Sequence, residues 1–214
     1  LAVGSMEGMC NSLLDLSRLS AGLVKPEPAV VSMNEVMREL ESMFGASARS
    51  KGLDFRLAGC HRRVRSDPQM LRQILQNLAA NAVRYTERGG VLIGCRRRGG
   101  MLSIEVWDTG PGIGREELDS IFVEFVRLGR QGHGDDRGLG IGLAIVREAC
   151  RVLGHELSAR SRPGRGSCFA VSVPLTEEAP AVKTASPDGA NRIAGAFVVV
   201  IDDDREVLEG MQRL

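Results

Sequence analysis

The sequence predicts an α/β fold, because helical and strand patterns interleave along the chain. The clearest helix carries Leu71, Ile74, Leu75, Leu78 and Ala82 on one apolar face. The clearest strand alternates Leu102, Ile104 and Val106 with Ser103, Glu105 and Trp107.

Taken in order, the first segment reads as a helix with a contact seam. Met6, Met9, Leu13, Leu16, Ser20 and Leu23 fall at alternating three- and four-residue steps, a line that one helix cannot bury alone. A terminal helix lying on its own domain is the competing reading. Gly22 and Pro26-Glu27-Pro28 stop it. A second helix is expected from about Asn34 to Ser50, then short strands around Leu53–Leu57 and Arg63–Arg65. Ser66-Asp67-Pro68 opens the third helix, with a capping side chain and a proline in the first turn. Strands follow at Val91–Arg97 and Met101–Asp108, joined by a Gly99-Gly100 turn. The glycine-rich, charged stretch from about Leu128 to Arg137 reads as mobile. Helix returns at about Gly142–Leu153, then strands at about Glu156–Ser161 and Ser167–Pro174. Residues from Thr176 to about Gly195 have the composition of a linker. Ala196–Ile201 is a continuous apolar strand ending in Asp202-Asp203-Asp204.

Composition narrows the function. In 214 residues, 43% hydrophobic content suffices for a packed core, and 28 basic against 27 acidic residues leave no global field for nucleic acid or an anionic membrane. The Arg96-Arg97-Arg98 run reads as a solvated hairpin edge rather than a nucleic-acid contact. Cys10, Cys60, Cys95, Cys150 and Cys168 are odd in number and form no Cys-x-x-Cys. A disulfide framework or zinc site is not indicated, and a reducing cytoplasm fits best. No apolar run approaches the ~20 residues of a membrane span. With Leu rather than Met at position 1, the chain reads as a fragment.

Three segments carry chemistry. Asn77 and Asn81 stand four apart on a helix face, with Arg84 further along. Amide oxygens suit Mg²⁺ shared with phosphate, although asparagines at this spacing also serve as caps or surface residues. Asp108-Thr109-Gly110-Pro111-Gly112 ends a strand. A carboxylate there can accept from the exocyclic amine of adenine, while the glycines let backbone pass a flat ring; an ordinary strand-end turn is the alternative. Gly138-Leu139-Gly140-Ile141-Gly142-Leu143 precedes a helix, freeing N–H groups for a phosphate. Its spacing is not that of a dinucleotide fingerprint, and no P-loop exists.

In that order the segments resemble the catalytic domain of sensor histidine kinases, within the superfamily shared with gyrase-type and mismatch-repair ATPases. Asn77–Thr86 resembles the N-box, Asp108–Gly112 the first glycine motif and Ile121–Arg127 the phenylalanine box. Gly138–Leu143 resembles the second glycine motif, and Gly164-Arg165-Gly166-Ser167 with Phe169 the last. The resemblance, over about residues 30–175, implies a two-layer α/β sandwich with a mixed sheet and an ATP lid, preceded by a dimerisation helix. It implies that Asn81 holds Mg²⁺ beside Asn77, that Arg84 replaces a phosphate-contacting lysine, and that Tyr85 lies along the nucleotide. Asp108 would bind the adenine amine and Arg127 the γ-phosphate. Gly110, Gly112, Ile113, Gly138, Leu139, Gly140, Ile141, Gly142, Leu143 and Ser167 would complete the ATP site. Phe122 and Phe125 would anchor the lid, with plain core packing as the competing reading.

Gyrase-type ATPases carry a glutamate at the position of Asn77; an amide cannot serve as general base, which favours phosphotransfer over hydrolysis. Residues 1–25, notably Leu13–Leu19, resemble the second helix of the dimerisation and phosphotransfer hairpin. The helix bearing the phosphoacceptor is missing, and His61, His133 and His155 do not replace it, so this fragment is expected not to autophosphorylate. Residues 26–175 would be the catalytic domain, 176–195 a linker, and 196–214 the start of a response-regulator receiver. In an intact receiver Asp202 and Asp203 would hold Mg²⁺. The implied protein is a hybrid kinase that is a homodimer through its N-terminal helix, with the hairpin and receiver as partners. A non-catalytic nucleotide-sensing module and a gyrase-class ATP hydrolase are the alternatives.

Overall fold

The computed structural model describes residues 13–118, 120–126 and 140–177. All of these fall within the first of two compact units, Leu1–Ala181. Expectations for Met6, Met9, His133, the residue 128–137 stretch, and the strand and acidic triplet beyond the linker lie outside the described residues.

A seven-stranded sheet carries helices on one face. Its strands are β1 (Ala29–Ser32), β2 (Asp54–Leu57), β3 (Arg63–Ser66), β4 (Gly90–Arg98), β5 (Met101–Asp108), β6 (Glu156–Arg162) and β7 (Gly166–Thr176), in the order β1-β3-β7-β5-β4-β2, with β6 also on β7. The β2–β4 pair is parallel and the other pairs are antiparallel, so the sheet is mixed. The helices are α1, described over residues 13–20, α2 (Met33–Ser50), α3 (Pro68–Tyr85) and α4 (Gly142–Leu153). A 3₁₀ turn spans Ser120–Phe122.

Helix α3 forms where its sequence dictates. The Asp67 Oδ1 accepts the N–H groups of Gln69 and Met70, both at 2.9 Å, and Pro68 occupies a position whose N–H would go unpaired in any case. The Oδ2 of the same carboxylate accepts from Glu27 N–H at 2.8 Å, tying the segment before β1 to the start of α3. The expected stripe, Leu71, Ile74, Leu75, Leu78 and Ala82, is buried against Ile93, Ile104, Val106, Val171 and Val173 of the sheet in one core. Helix α4 ends at Gly154, whose φ of +68° and bonds from Gly154 and His155 N–H to Arg151 and Cys150 carbonyls close its last turn.

Three readings change. Strand β1 was not legible as a strand; it forms by pairing with β3. On α1, Leu16 of the expected seam is buried together with Leu19, whereas Leu13 and Leu23 of the seam are exposed at 41% and 74%. Gln73 of α3 also donates to Asp15 at 2.9 Å, so α1 lies on its own domain along one face. Gly22 (φ +67°), with bonds from its own and Leu23 N–H to Leu19 and Arg18 carbonyls, ends the helix before the prolines are reached. On β5 the polar partners of the alternation are not all solvated. Ser103 and Glu105 are buried because β4 and β7 flank the strand and Glu105 accepts from Trp107 Nε1 and Ser103 Oγ at 3.0 and 3.3 Å.

Replacing Asp67 by Ala removes both the cap of α3 and its link to Glu27. We expect a loss of about 1–2 kcal/mol in urea unfolding, whereas Asp67→Asn, which keeps an acceptor, should recover most of it.

Candidate functional site

The register of the central strands builds the site. Asp108, the last residue of β5, pairs with Ser167 at the start of β7. Its Oδ1 accepts N–H bonds from Gly110 at 2.8 Å and Ser167 at 3.3 Å, leaving Oδ2 for the adjoining cavity. Burial raises the Asp108 pKa above the ordinary carboxylate value, against the two backbone hydrogen bonds that lower it. Gly166 (φ +89°) is required here, since a Cβ would fall 1.9 Å from the Asp108 carbonyl oxygen. The last glycine motif, which has no sharp reading in the sequence, thus lets β7 begin against Asp108.

The loop after Asp108 is stitched to the β6–β7 turn. Gly164 N–H donates to Pro111 O at 2.6 Å, and Ile113 N–H donates to Ser161 Oγ at 2.7 Å. At Gly112 (φ +69°) a Cβ would fall 2.0 Å from Arg162 O, so the two backbones touch because no side chain stands between them.

Asn81, Ala82 and Tyr85 on α3 face Asp108 across a cavity that Pro111, Gly112, Ile113, Ile121, Val126, Leu143, Ser167 and Phe169 close. Its 120 Å³ is well below the ~300–1,000 Å³ of sites that enclose a whole ligand. It suits one planar ring, with the remainder of a larger ligand outside. The lining is mostly apolar; Asp108, Asn81, Tyr85 and Ser167 supply its side-chain polar groups.

Beside it, α4 begins without a side-chain cap from its N-cap residue, the buried Ile141, so among the described residues the first N–H groups of the helix have no side-chain acceptor. Gly142 packs on α3. A Cβ there would stand 3.0 Å from Asn77 Oδ1 and 3.6 Å from Asn81 Nδ2. Asn77 Nδ2 donates to Gln73 O at 2.9 Å, which turns its oxygen toward α4. The Asn81 amide makes no hydrogen bond among the described residues. Gly140 (φ +73°) precedes the helix and accepts from Phe125 N–H at 3.2 Å.

Of the residues expected at the site, Asn81, Tyr85, Asp108, Gly112, Ile113, Leu143 and Ser167 line this cavity. Asn77, Gly110, Gly140, Ile141 and Gly142 border its lining residues. Arg127, Gly138, Leu139, Asp202 and Asp203 lie outside the described residues. Arg84 is exposed at the end of α3 and is not part of the lining; Lys51 Nζ caps that end, donating to the carbonyls of Val83 and Arg84 at 3.0 and 3.1 Å. Phe125 also departs from its expected place. It is 58% exposed and has a φ of +63°. Phe122 instead meets Phe169 edge-on at 6.4 Å, and Val126 reaches the cavity. Ser161, which orders the glycine loop from the neighbouring hairpin, has no signature in the sequence. Of the three histidines, His155 is half-buried with Ser66 Oγ 2.8 Å from its Nε2, and burial lowers its pKa.

Two variants test this geometry. Gly112→Ala should destabilise by at least the about 1–3 kcal/mol of a non-glycine residue held in that conformation, read by urea unfolding. Because burial raises the folded pKa of Asp108, its ionisation costs stability as pH rises from the ordinary carboxylate range through the folded value. Asp108→Asn keeps the Oδ1 acceptor and should lack that slope. It should therefore be at least as stable as wild type at neutral pH, with the difference shrinking in acid.

Comparison with known proteins agrees with this arrangement. The family "Histidine kinase-, DNA gyrase B-, and HSP90-like ATPase" matches residues 66–177. The aerobic respiration control sensor protein ArcB of Escherichia coli is 31% identical over 199 residues, 90% of this chain and 25% of ArcB. The chain thus spans about a quarter of that relative's length. Full-length ShkA, solved in complex with AMPPNP, superposes with a TM-score of 0.72 at 30% identity, over 81% of this chain and 37% of ShkA. The catalytic domain of the histidine kinase ThkA superposes at 0.58 and 28% identity, over 69% of this chain and 95% of that domain. The chain belongs to the histidine kinase, DNA gyrase B and HSP90-like ATPase family, and its described part is an ATP-binding catalytic domain of the sensor histidine kinase kind.

Proposed function

We propose that this chain is the catalytic region of a hybrid sensor histidine kinase, passing the γ-phosphate of ATP to a histidine on a dimerisation hairpin. The observation that carries this is the convergence of Asp108, Asn81 and Tyr85 on one mostly apolar cavity beside the uncapped start of α4. The Asp108 carboxylate accepts the adenine amine, and the flat apolar walls hold the ring. Phosphates extend toward the free N–H groups and positive end of α4.

The Asn81 amide, half-buried on the lining and without a partner in the described structure, fits Mg²⁺, which favours oxygen ligands and keeps several waters. Bound there, the ion would neutralise charge on the phosphates. Asn77 orients this helix face and cannot take a proton from water, in keeping with transfer to an acceptor rather than hydrolysis. Arg127 is assigned to the γ-phosphate, and Arg84 acts only if its exposed guanidinium swings toward the bound triphosphate.

The remaining assignments follow from the same reading. Residues 1–25 supply the second hairpin helix and the dimer contact; residues 196–214 open a receiver whose Asp202 and Asp203 would hold Mg²⁺. The fragment does not phosphorylate itself, since the acceptor histidine is supplied by another segment. The region works in the cytoplasm; among the described residues no helix is long and apolar enough to cross a membrane.

Labelled ATP and Mg²⁺ should bind the chain and transfer label to a separately supplied histidine-bearing hairpin, with none incorporated in the hairpin's absence. Asn81→Ala and Asp108→Asn should each weaken nucleotide binding, read by calorimetry, by about 1–3 kcal/mol. Steady ATP hydrolysis without an acceptor, or no ATP binding at all, would overturn this function.

A further inference from the structure

The sheet face turned away from the helices carries a second concavity. Asp108 and Ser167 border both it and the first cavity. Its space is 550 Å³, within the ~300–1,000 Å³ of small-molecule sites. Arg115 enters it from the loop after Asp108, and Arg160, Arg162 and Arg165 from β6 and the β6–β7 turn. All four arginines are exposed, and Asp108 is the one carboxylate among the described lining residues.

The arginines are held together by construction. The bonds from Gly164 to Pro111 and from Ile113 to Ser161, with the contact of Gly112 on Arg162 O, lock the loop bearing Arg115 to the turn bearing Arg162 and Arg165. Along the floor the Arg160 guanidinium lies 5.8 Å over the Trp107 ring, which its bond to Glu105 Oε2 holds in place. The nearby Glu105 has its own cationic partner, Arg98 at 3.6 Å, and accepts from Trp107 and Ser103. Among the described residues, Arg115, Arg162 and Arg165 form no ion pair.

Like charges gathered in a concave site raise its affinity for an anion, and the guanidinium fork matches phosphate oxygens two at a time. We propose that this groove is a second ligand site, distinct from the nucleotide cavity, that takes a small anion carrying two or more phosphate groups. Arg115, Arg162 and Arg165 grip the phosphates, and the Arg160–Trp107 pair forms a flat platform at one end.

The test titrates inorganic pyrophosphate into the full chain, with and without a saturating non-hydrolysable ATP analogue. Calorimetry gives affinity, and Trp107, the single tryptophan of the chain, reports location through its fluorescence. We expect saturable binding and a change in Trp107 emission that persist when the analogue is present. The double variant Arg162→Gln/Arg165→Gln should weaken pyrophosphate by about tenfold or more while still binding the analogue. Arg115→Gln, on the other loop, should weaken pyrophosphate too and guards against a misformed turn. Asn81→Ala should weaken the analogue and leave pyrophosphate unchanged, so the two sites fail independently. Absence of saturable pyrophosphate binding, or equal affinity in wild type and all arginine variants, would sink the proposal.

Discussion

The described domain is organised around one carboxylate. Asp108 sits at a strand end where burial disfavours its charge, and two backbone N–H groups converge on a single oxygen to hold it. Supplying those groups fixes the surroundings. Ser167 must lie beside Asp108 in register, and β7 must begin at a glycine that clears the Asp108 carbonyl. Gly110 must turn back against Tyr85 O, where a Cβ would come within 3.1 Å. What reads as two loose glycine motifs, at Asp108–Gly112 and at Gly164–Ser167, is thus one backbone assembly, and the cavity is the space it leaves against α3.

The second half of the site rests on packing rather than hydrogen bonding. Helices α3 and α4 approach closely because Gly142 has no side chain where Asn77 and Asn81 lie. That contact aims the Asn77 oxygen at the start of α4, and the Asn81 amide on the cavity wall makes no hydrogen bond among the described residues. A helix start whose N-cap residue offers no side-chain cap, which elsewhere would be a local weakness, stands here beside the cavity, where the proposed function puts the phosphates. Stability and binding therefore pull in different directions at this end of the molecule.

The two faces of the sheet behave differently. The inner face is a continuous apolar layer under the helices. The outer face buries Ser103 and Glu105 beneath their own hydrogen bonds and then opens into the arginine-lined groove. The stitched loops that shape the nucleotide side from within also set the spacing of the arginines outside, so one structural device serves both faces.

Much of this was legible in the residues. The Asp67-Pro68 start, the apolar stripe of α3, the span of α4 and the strand ending at Asp108 follow from local rules of capping, periodicity and turn chemistry, which depend on neighbours a few positions away. The ordered motifs pointed to Asn81, Tyr85 and Asp108 as parts of one site. Other features belong to contacts between distant segments. Strand β1 exists by pairing with β3, and α1 buries Leu16 of the seam together with Leu19, which the seam did not include, while Leu13 and Leu23 stay exposed. Phe125 is exposed and holds a positive φ that no residue type announces, and Ser161 serves the glycine loop across 48 positions of sequence. The sequence alone determined the helices, every strand but β1, and which groups could meet a nucleotide. Tertiary structure decided which faces are covered and which backbones touch, because burial and close approach depend on residues far away in the chain.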